Sequence, residues 1–200
     1  MGLPISRLIC GSNQNDILTR FFENGTMKRK NVSPSYSPSM DIQVSSNFER
    51  LLFEINGRDT KLVKKQMHDF KVNGYFQINQ DQLKKINRSF SAFMISDIET
   101  LDIIKNTYTD HEYMLDPHSA IGYGAVKKAV NQKIISYDTP IISLACAHPA
   151  KFPQVIKKSI GIIPEVPFHL DQIMRQKENF KIIEPSLNDI KEYIKKNMRK

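Results

Sequence analysis

Apolar side chains recur at three- and four-residue spacing through most of the chain, the period of helices packed on one face. Ile17–Asn24 reads as a short helix. Ser46-Asn47-Phe48-Glu49 has the form of a capping box and opens a helix to about Asn56, stopped at Gly57. Thr60 opens the next, through about Val72, with Leu62, Val63, Met67 and Phe70 on one face and a stop at Gly74. Asn79-Gln80-Asp81-Gln82 and Ser96-Asp97-Ile98-Glu99 start two more. Asp116-Pro117 starts another, running through Val130, because Asp caps a helix and Pro at its first position loses no needed hydrogen bond. The last, Ser186–Lys200, carries Leu187, Ile190, Tyr193 and Ile194 on one face. Strand-like runs are fewer: Ile5–Cys10, Ser91–Ile95 and Ile141–Cys146. The third is apolar, short and preceded by a helix, as a buried strand of a parallel sheet is. Lys28–Ser39, polar with Pro34 and Pro38, reads as a loop. The pattern predicts an α/β fold rich in helix, with too few strands to complete a sheet for so many helices.

Composition narrows the function classes. The 200 residues are 40% hydrophobic and 25% charged, ordinary globular usage. Two cysteines, Cys10 and Cys146, exclude a disulfide scaffold and suit a reducing, cytoplasmic setting. No apolar run is long enough to span a membrane, and Pro4, Ser6 and Arg7 interrupt any export signal. None of His68, His111, His118, His148 and His169 pairs with another at metal-binding spacing, so no metal site is expected. Cys146 and His148 lie two apart, on one face of a strand, but no third group completes a nucleophilic set. Gly122-Tyr123-Gly124 falls inside a helix, where close packing explains it better than phosphate binding.

The net charge of +8 invites an anionic partner. The basic residues are spread along the chain in pairs, with no recognisable nucleic-acid module beside them. A phosphorylated small molecule suits the charge equally. A basic nucleic-acid-binding module is therefore the alternative function, and a non-functional gene remnant a further one.

Five segments in order resemble the C-terminal half of the threonine synthase family. They are Ser12-Asn13-Gln14-Asn15-Asp16-Ile17, Ser37-Pro38-Ser39-Met40-Asp41-Ile42, Ser45-Ser46-Asn47-Phe48-Glu49-Arg50-Leu51-Leu52, Leu115-Asp116-Pro117-His118-Ser119-Ala120-Ile121-Gly122 and Ala147-His148-Pro149-Ala150-Lys151-Phe152. The resemblance implies part of the tryptophan synthase β-like (fold type II) architecture, its sheet incomplete without an N-terminal half. It implies that residues 1–200 are the C-terminal portion of a pyridoxal-phosphate-binding domain, with a helix-rich insertion at about 58–100. The family converts O-phosphohomoserine and water to threonine and phosphate, using pyridoxal phosphate as an electron sink.

One departure is decisive. The family's Schiff-base lysine, in a Phe-Lys-Asp context, has no match here; Phe70-Lys71-Val72 falls in an expected helix and in the wrong half. The family's Gly-Asn-Phe-Gly phosphate loop is also unmatched. The resemblance thus implies no catalytic residue in this chain, inactivity when isolated, and a partner in the form of a separately encoded N-terminal half. A split gene, a miscalled start and a gene fragment all accord with this. Cys146, two residues before the motif histidine, is expected to meet the cofactor's pyridine nitrogen, where the family usually has Thr; a thiol is the weaker partner. His148, Asn13, Asn15, Asp41, Asn47 and Arg50 are expected to line the pocket. Asp16 is expected to cap the helix after it, and Asp116 and His118 to fix the start of theirs.

Overall fold

Strand β1 (Leu8–Ser12) lies parallel to β4 (Phe90–Met94), Leu8 opposite Phe90 and Ser12 opposite Met94. The computed structural model describes residues 2–198. Between these strands run α1 (Ile17–Asn24), β2 (Thr26–Lys28), α2 (Phe48–Ile55), α3 (Thr60–Asn73), β3 (Tyr75–Gln77) and α4 (Gln80–Asn87). After them come α5 (Asp97–His111), α6 (Pro117–Asn131) and α7 (Pro153–Ile160). β2 and β3 form a separate antiparallel ribbon, Met27 opposite Phe76. The architecture is α/β, and among the described residues the parallel sheet has two strands.

The strands are held by what surrounds them. Arg7 donates to the carbonyls of Asn87, Arg88 and Phe90, pinning the entry of β1 to the turn before β4. On one side, Ile17, Phe21 and Phe22 of α1 meet Phe48, Leu52, Phe70, Phe76, Ile78, Leu83 and Ile86 in one buried cluster. The stretch 58–100 is helix-rich, and it shares this core instead of forming its own. On the other side α6 crosses β1 closely: a Cβ on Gly11 would meet the Ile121 carbonyl oxygen at 3.0 Å. A Cβ on Gly124 would press into Ile95 and Ile103, so its role is close packing; Gly122 has ordinary clearance.

Capping follows the sequence at most helix starts. Ser96 and Glu99 form a capping box on α5, and Asn79 and Gln82 one on α4. Burial works against charge on Glu99, but hydrogen bonds from Lys128 and Ser96 outweigh it and hold the carboxyl below its ordinary range. Ser46 is not a cap: α2 begins one residue later, with Asn47 in helical geometry and no side-chain cap bond. Asp16 makes no cap bond either, because Arg20 takes its carboxylate at 2.8 Å.

The largest departure is Ile141–Cys146. It belongs to no strand, with Ile142 86% and Leu144 76% exposed. A strand exists only through a neighbour's hydrogen bonds, and no described strand lies beside it. β1 runs Leu8–Ser12, starting and ending later than expected. β2 and β3 are three residues each, too short to show alternation.

Residues 166–200 form a second unit, with α8 (Phe168–Met174) and α9 (Leu187–Asn197). Ser186 caps α9 as the sequence indicates, and the apolar stripe Leu187–Ile194 stays exposed. The last two positions of the expected helix, Arg199 and Lys200, lie outside the described residues. No helix among the described residues is long and apolar enough to cross a membrane.

Candidate functional site

Two polar clusters stand at the ends of buried elements. The first lies beyond the carboxyl end of β1, where open α/β sheets place ligands. The Asn13 amide donates to Ser35 Oγ at 2.7 Å, Ser37 Oγ at 3.0 Å and Asp41 Oδ1 at 2.8 Å. Asn15 donates to Asp41 Oδ1 at 2.9 Å and to the Ser33 carbonyl at 2.8 Å. Asp41 also accepts from Ser35, by hydroxyl and backbone. Asn13 and Asn15 are buried, and every partner is internal. The expected residues Asn13, Asn15 and Asp41 are thus brought together, as a clamp that fixes the 29–41 loop on β1.

The second cluster is built on Asp116, 1% exposed, at the start of α6. Its Oδ1 accepts from the His118 backbone at 2.9 Å and from His118 Nδ1 at 3.0 Å. Its Oδ2 accepts from the Ser119 hydroxyl and from the Ala147 backbone at 3.3 Å. Ser119 Oγ in turn accepts the Cys146 backbone N–H at 2.9 Å. His118 Nε2 accepts from the Ser39 backbone at 3.3 Å, so the ring carries its proton on Nδ1 and joins the two clusters. Asp116 and His118 do start a helix, and they also tie down two loops. Ser119 was not among the expected site residues; its place on the first turn of α6, three after Asp116, is the signal that marks it.

Cys146 and His148 line one cavity of about 580 Å³, with Tyr113, Asp116, Ser119 and Glu165 among its other walls. The thiol is exposed and donates to the Leu144 carbonyl at 3.5 Å. Burial pushes the thiol's pKa up, the Asp116 charge adds to this, and the Ser119 hydrogen bond opposes it. These influences together favour the protonated thiol, a weak hydrogen-bond donor. His148 Nδ1 accepts from Ala150 N–H at 3.2 Å and so orders the turn Pro149–Lys151. No lysine or arginine lines this cavity, and two of its walls are acidic. Its thiol and hydroxyl groups offer hydrogen bonds to a ligand.

Asn47 and Arg50 are not part of either cluster. Both are exposed, and Asn47 accepts only from Ser45 Oγ, at 3.1 Å. They sit at the open start of α2, where the helix buries Phe48 and Leu52 and turns these two outward. Among the described residues no group of His, Cys, Asp or Glu is placed to hold a metal ion.

With its parallel strand ending in a polar loop, helices on both sides and a late loop beside a cavity, the chain structurally matches part of a fold type II pyridoxal-phosphate enzyme. The chain is similar to the threonine synthases over their C-terminal portion. Residues 119–194 match the family model described as threonine synthase, C-terminal. The chain is 36% identical to the threonine synthase of Pseudomonas aeruginosa over 195 residues, 97% of this chain and 41% of that one. It is 34% identical to that of Saccharomyces cerevisiae, over 95% of this chain and 40% of the relative. A solved structure of pyridoxal-phosphate-bound threonine synthase from Brucella melitensis superimposes with TM-score 0.86 at 43% identity, covering 98% of this chain and 41% of that one. The chain therefore spans about two fifths of the length of the relatives it matches. Nothing in the geometry or in these likenesses favours nucleic-acid binding.

Proposed function

We propose that this chain supplies the C-terminal wall of a threonine synthase active site, and that the remaining portion of the family fold supplies the reactive lysine and the phosphate-binding loop. The observation that carries the reading is the exposed Cys146 thiol on a cavity wall, two residues before His148. A neutral donor suits a pyridine nitrogen, because it hydrogen-bonds the ring without requiring a charged pyridinium. When bound, pyridoxal phosphate supplies an electron sink for carbanion chemistry on O-phosphohomoserine. Cys146 would hold the ring nitrogen, and His148, through its turn, would shape the rim. The clamp of Asn13, Asn15 and Asp41 would keep the strand-end loop in place beside it. Arg50 and Asn47, being exposed, are free to meet either substrate or the missing portion.

The 200-residue chain alone is then inactive, and its partner is the N-terminal portion of the fold, whether upstream in one polypeptide or encoded separately. The exposed run Ile141–Leu144 fits this, since an apolar run of this kind is stable when covered. Such a protein works in the cytoplasm. Treating the purified chain with pyridoxal phosphate and borohydride, then weighing the products, tests the reading. The expected result is no single-site, stoichiometric label. One lysine of this chain labelled to completion overturns it.

A further inference from the structure

We infer that Asp116, acting through Ser119, is the positioning residue for the cavity wall that carries Cys146. The backbone of residues 140–148 has no strand neighbour, so something other than a sheet must place it. Along Ser143–Ala147, Cys146 N–H and Ala147 N–H are the amides with an acceptor in the described residues, Ser119 Oγ and Asp116 Oδ2. Both acceptors lie on the first turn of α6, and Ser119 itself donates to Asp116. The buried carboxylate thus holds one amide directly and the next through one hydroxyl. Its other oxygen holds His118, whose far nitrogen holds Ser39 N–H, so the turn that leads into Asp41 is referenced to the same group.

A helix N-cap needs one acceptor for one amide. Asp116 accepts from the Ala147 loop besides its own helix, reaches a second loop through His118, and is buried where a capping side chain is ordinarily exposed. The arrangement fixes the thiol relative to α6, the most deeply buried helix. Asp116, Tyr113, His148 and Glu165 are the titratable groups facing Cys146 across the cavity. Of these, Asp116 acts on it by charge, adding to burial in keeping the thiol protonated. That the thiol so placed meets a pyridine ring rests on the function proposed above; the positioning does not.

The test is hydrogen–deuterium exchange of the full chain, followed in the peptide covering 143–148, with no cofactor present. The Cys146 amide in Ser119→Ala, and the Ala147 amide in Asp116→Asn, should exchange about tenfold faster, the loss of about one hydrogen bond each. Ser119→Thr keeps the hydroxyl and should restore slow exchange. Tyr113→Phe, on the same cavity but outside the network, should leave it unchanged. A second readout uses a Cys10→Ser background, in which Cys146 is the one thiol. Iodoacetamide should alkylate it faster in Asp116→Asn, as charge and tether are lost together. If Asp116→Asn also loosens α5 and α6, the Ser119→Ala and Ser119→Thr pair decides. Wild-type exchange in Ser119→Ala, or failure of Ser119→Thr to restore it, overturns the inference. Because the measurement is cofactor-free, either result leaves the proposed function to its own test.

Discussion

Replacing Phe21 by alanine is expected to cost about 3–5 kcal/mol, the range for emptying a buried aromatic site. Phe21 is 0% exposed and sits where α1, α2 and the β2–β3 ribbon converge. Its ring meets Phe48 edge-on at 4.7 Å, Phe22 at 5.8 Å and Phe76 at 6.2 Å. These neighbours come from separate elements, so they cannot close the gap without moving each other. Against a total stability of about 5–15 kcal/mol, such a loss is a large share. Thermal melting by circular dichroism should show a fall of roughly 10 °C, at about 2–4 °C per kcal/mol for a domain of this size. Phe168→Ala is the control: that ring is 91% exposed and its loss should lie within about 0.5 kcal/mol. Equal melting points for the two variants would show that the core is not organised around Phe21.

Asn13→Ala is expected to destabilise by about 2–4 kcal/mol and to free the 29–41 loop, because buried partners lose their hydrogen bonds together. Asp41 would lose one donor, and the Asn15 backbone N–H would lose the Asn13 carbonyl oxygen at 2.9 Å. That asymmetry matters more than the bonds themselves: unpaired buried groups carry their full desolvation cost. Limited proteolysis should cut the variant near Lys28–Lys30, where the wild type resists. Arg50→Ala, whose side chain is exposed at the start of α2, should melt and digest as the wild type does. Equal protease resistance of Asn13→Ala would show that the loop is held by something else.

Helices were legible in the sequence where local chemistry decides them. The Asp116-Pro117 start, the Ser96 box and the Gly74 stop all depend on side chains within four residues. Ser46 misled because its box competes with Asn47 only one position away, and packing of Phe48 settled the frame. The run Ile141–Cys146 misled for a different reason. Its apolar pattern records burial in a sheet, but pairing is a property of two segments, and sequence shows one at a time. β2 and β3 were invisible because their ladder is three residues long. α7 was missed although Pro153 at its first turn and Gly161 at its end mark both boundaries.

For the candidate site, the motifs located the residues and left their connections unread. Asn13, Asn15 and Asp41 are far apart in sequence order from His118, yet Ser39 and His118 join them in one network. The resemblance correctly pointed to the threonine synthases, whose C-terminal portion this chain matches. It could not show that Asn47 and Arg50 face outward, since a motif position carries no information about direction. Nor did it single out Ser119, whose hydroxyl bridges Asp116 and Cys146.

Phosphate release from O-phosphohomoserine, with pyridoxal phosphate present, puts the central claim to the most direct trial. Two proteins are compared: the 200-residue chain alone, and the same chain fused behind the N-terminal portion of the Pseudomonas aeruginosa relative that it does not cover. The account predicts no release from the first and sustained release from the second, abolished when the lysine of the added portion is replaced. Release by the 200-residue chain unaided would contradict it.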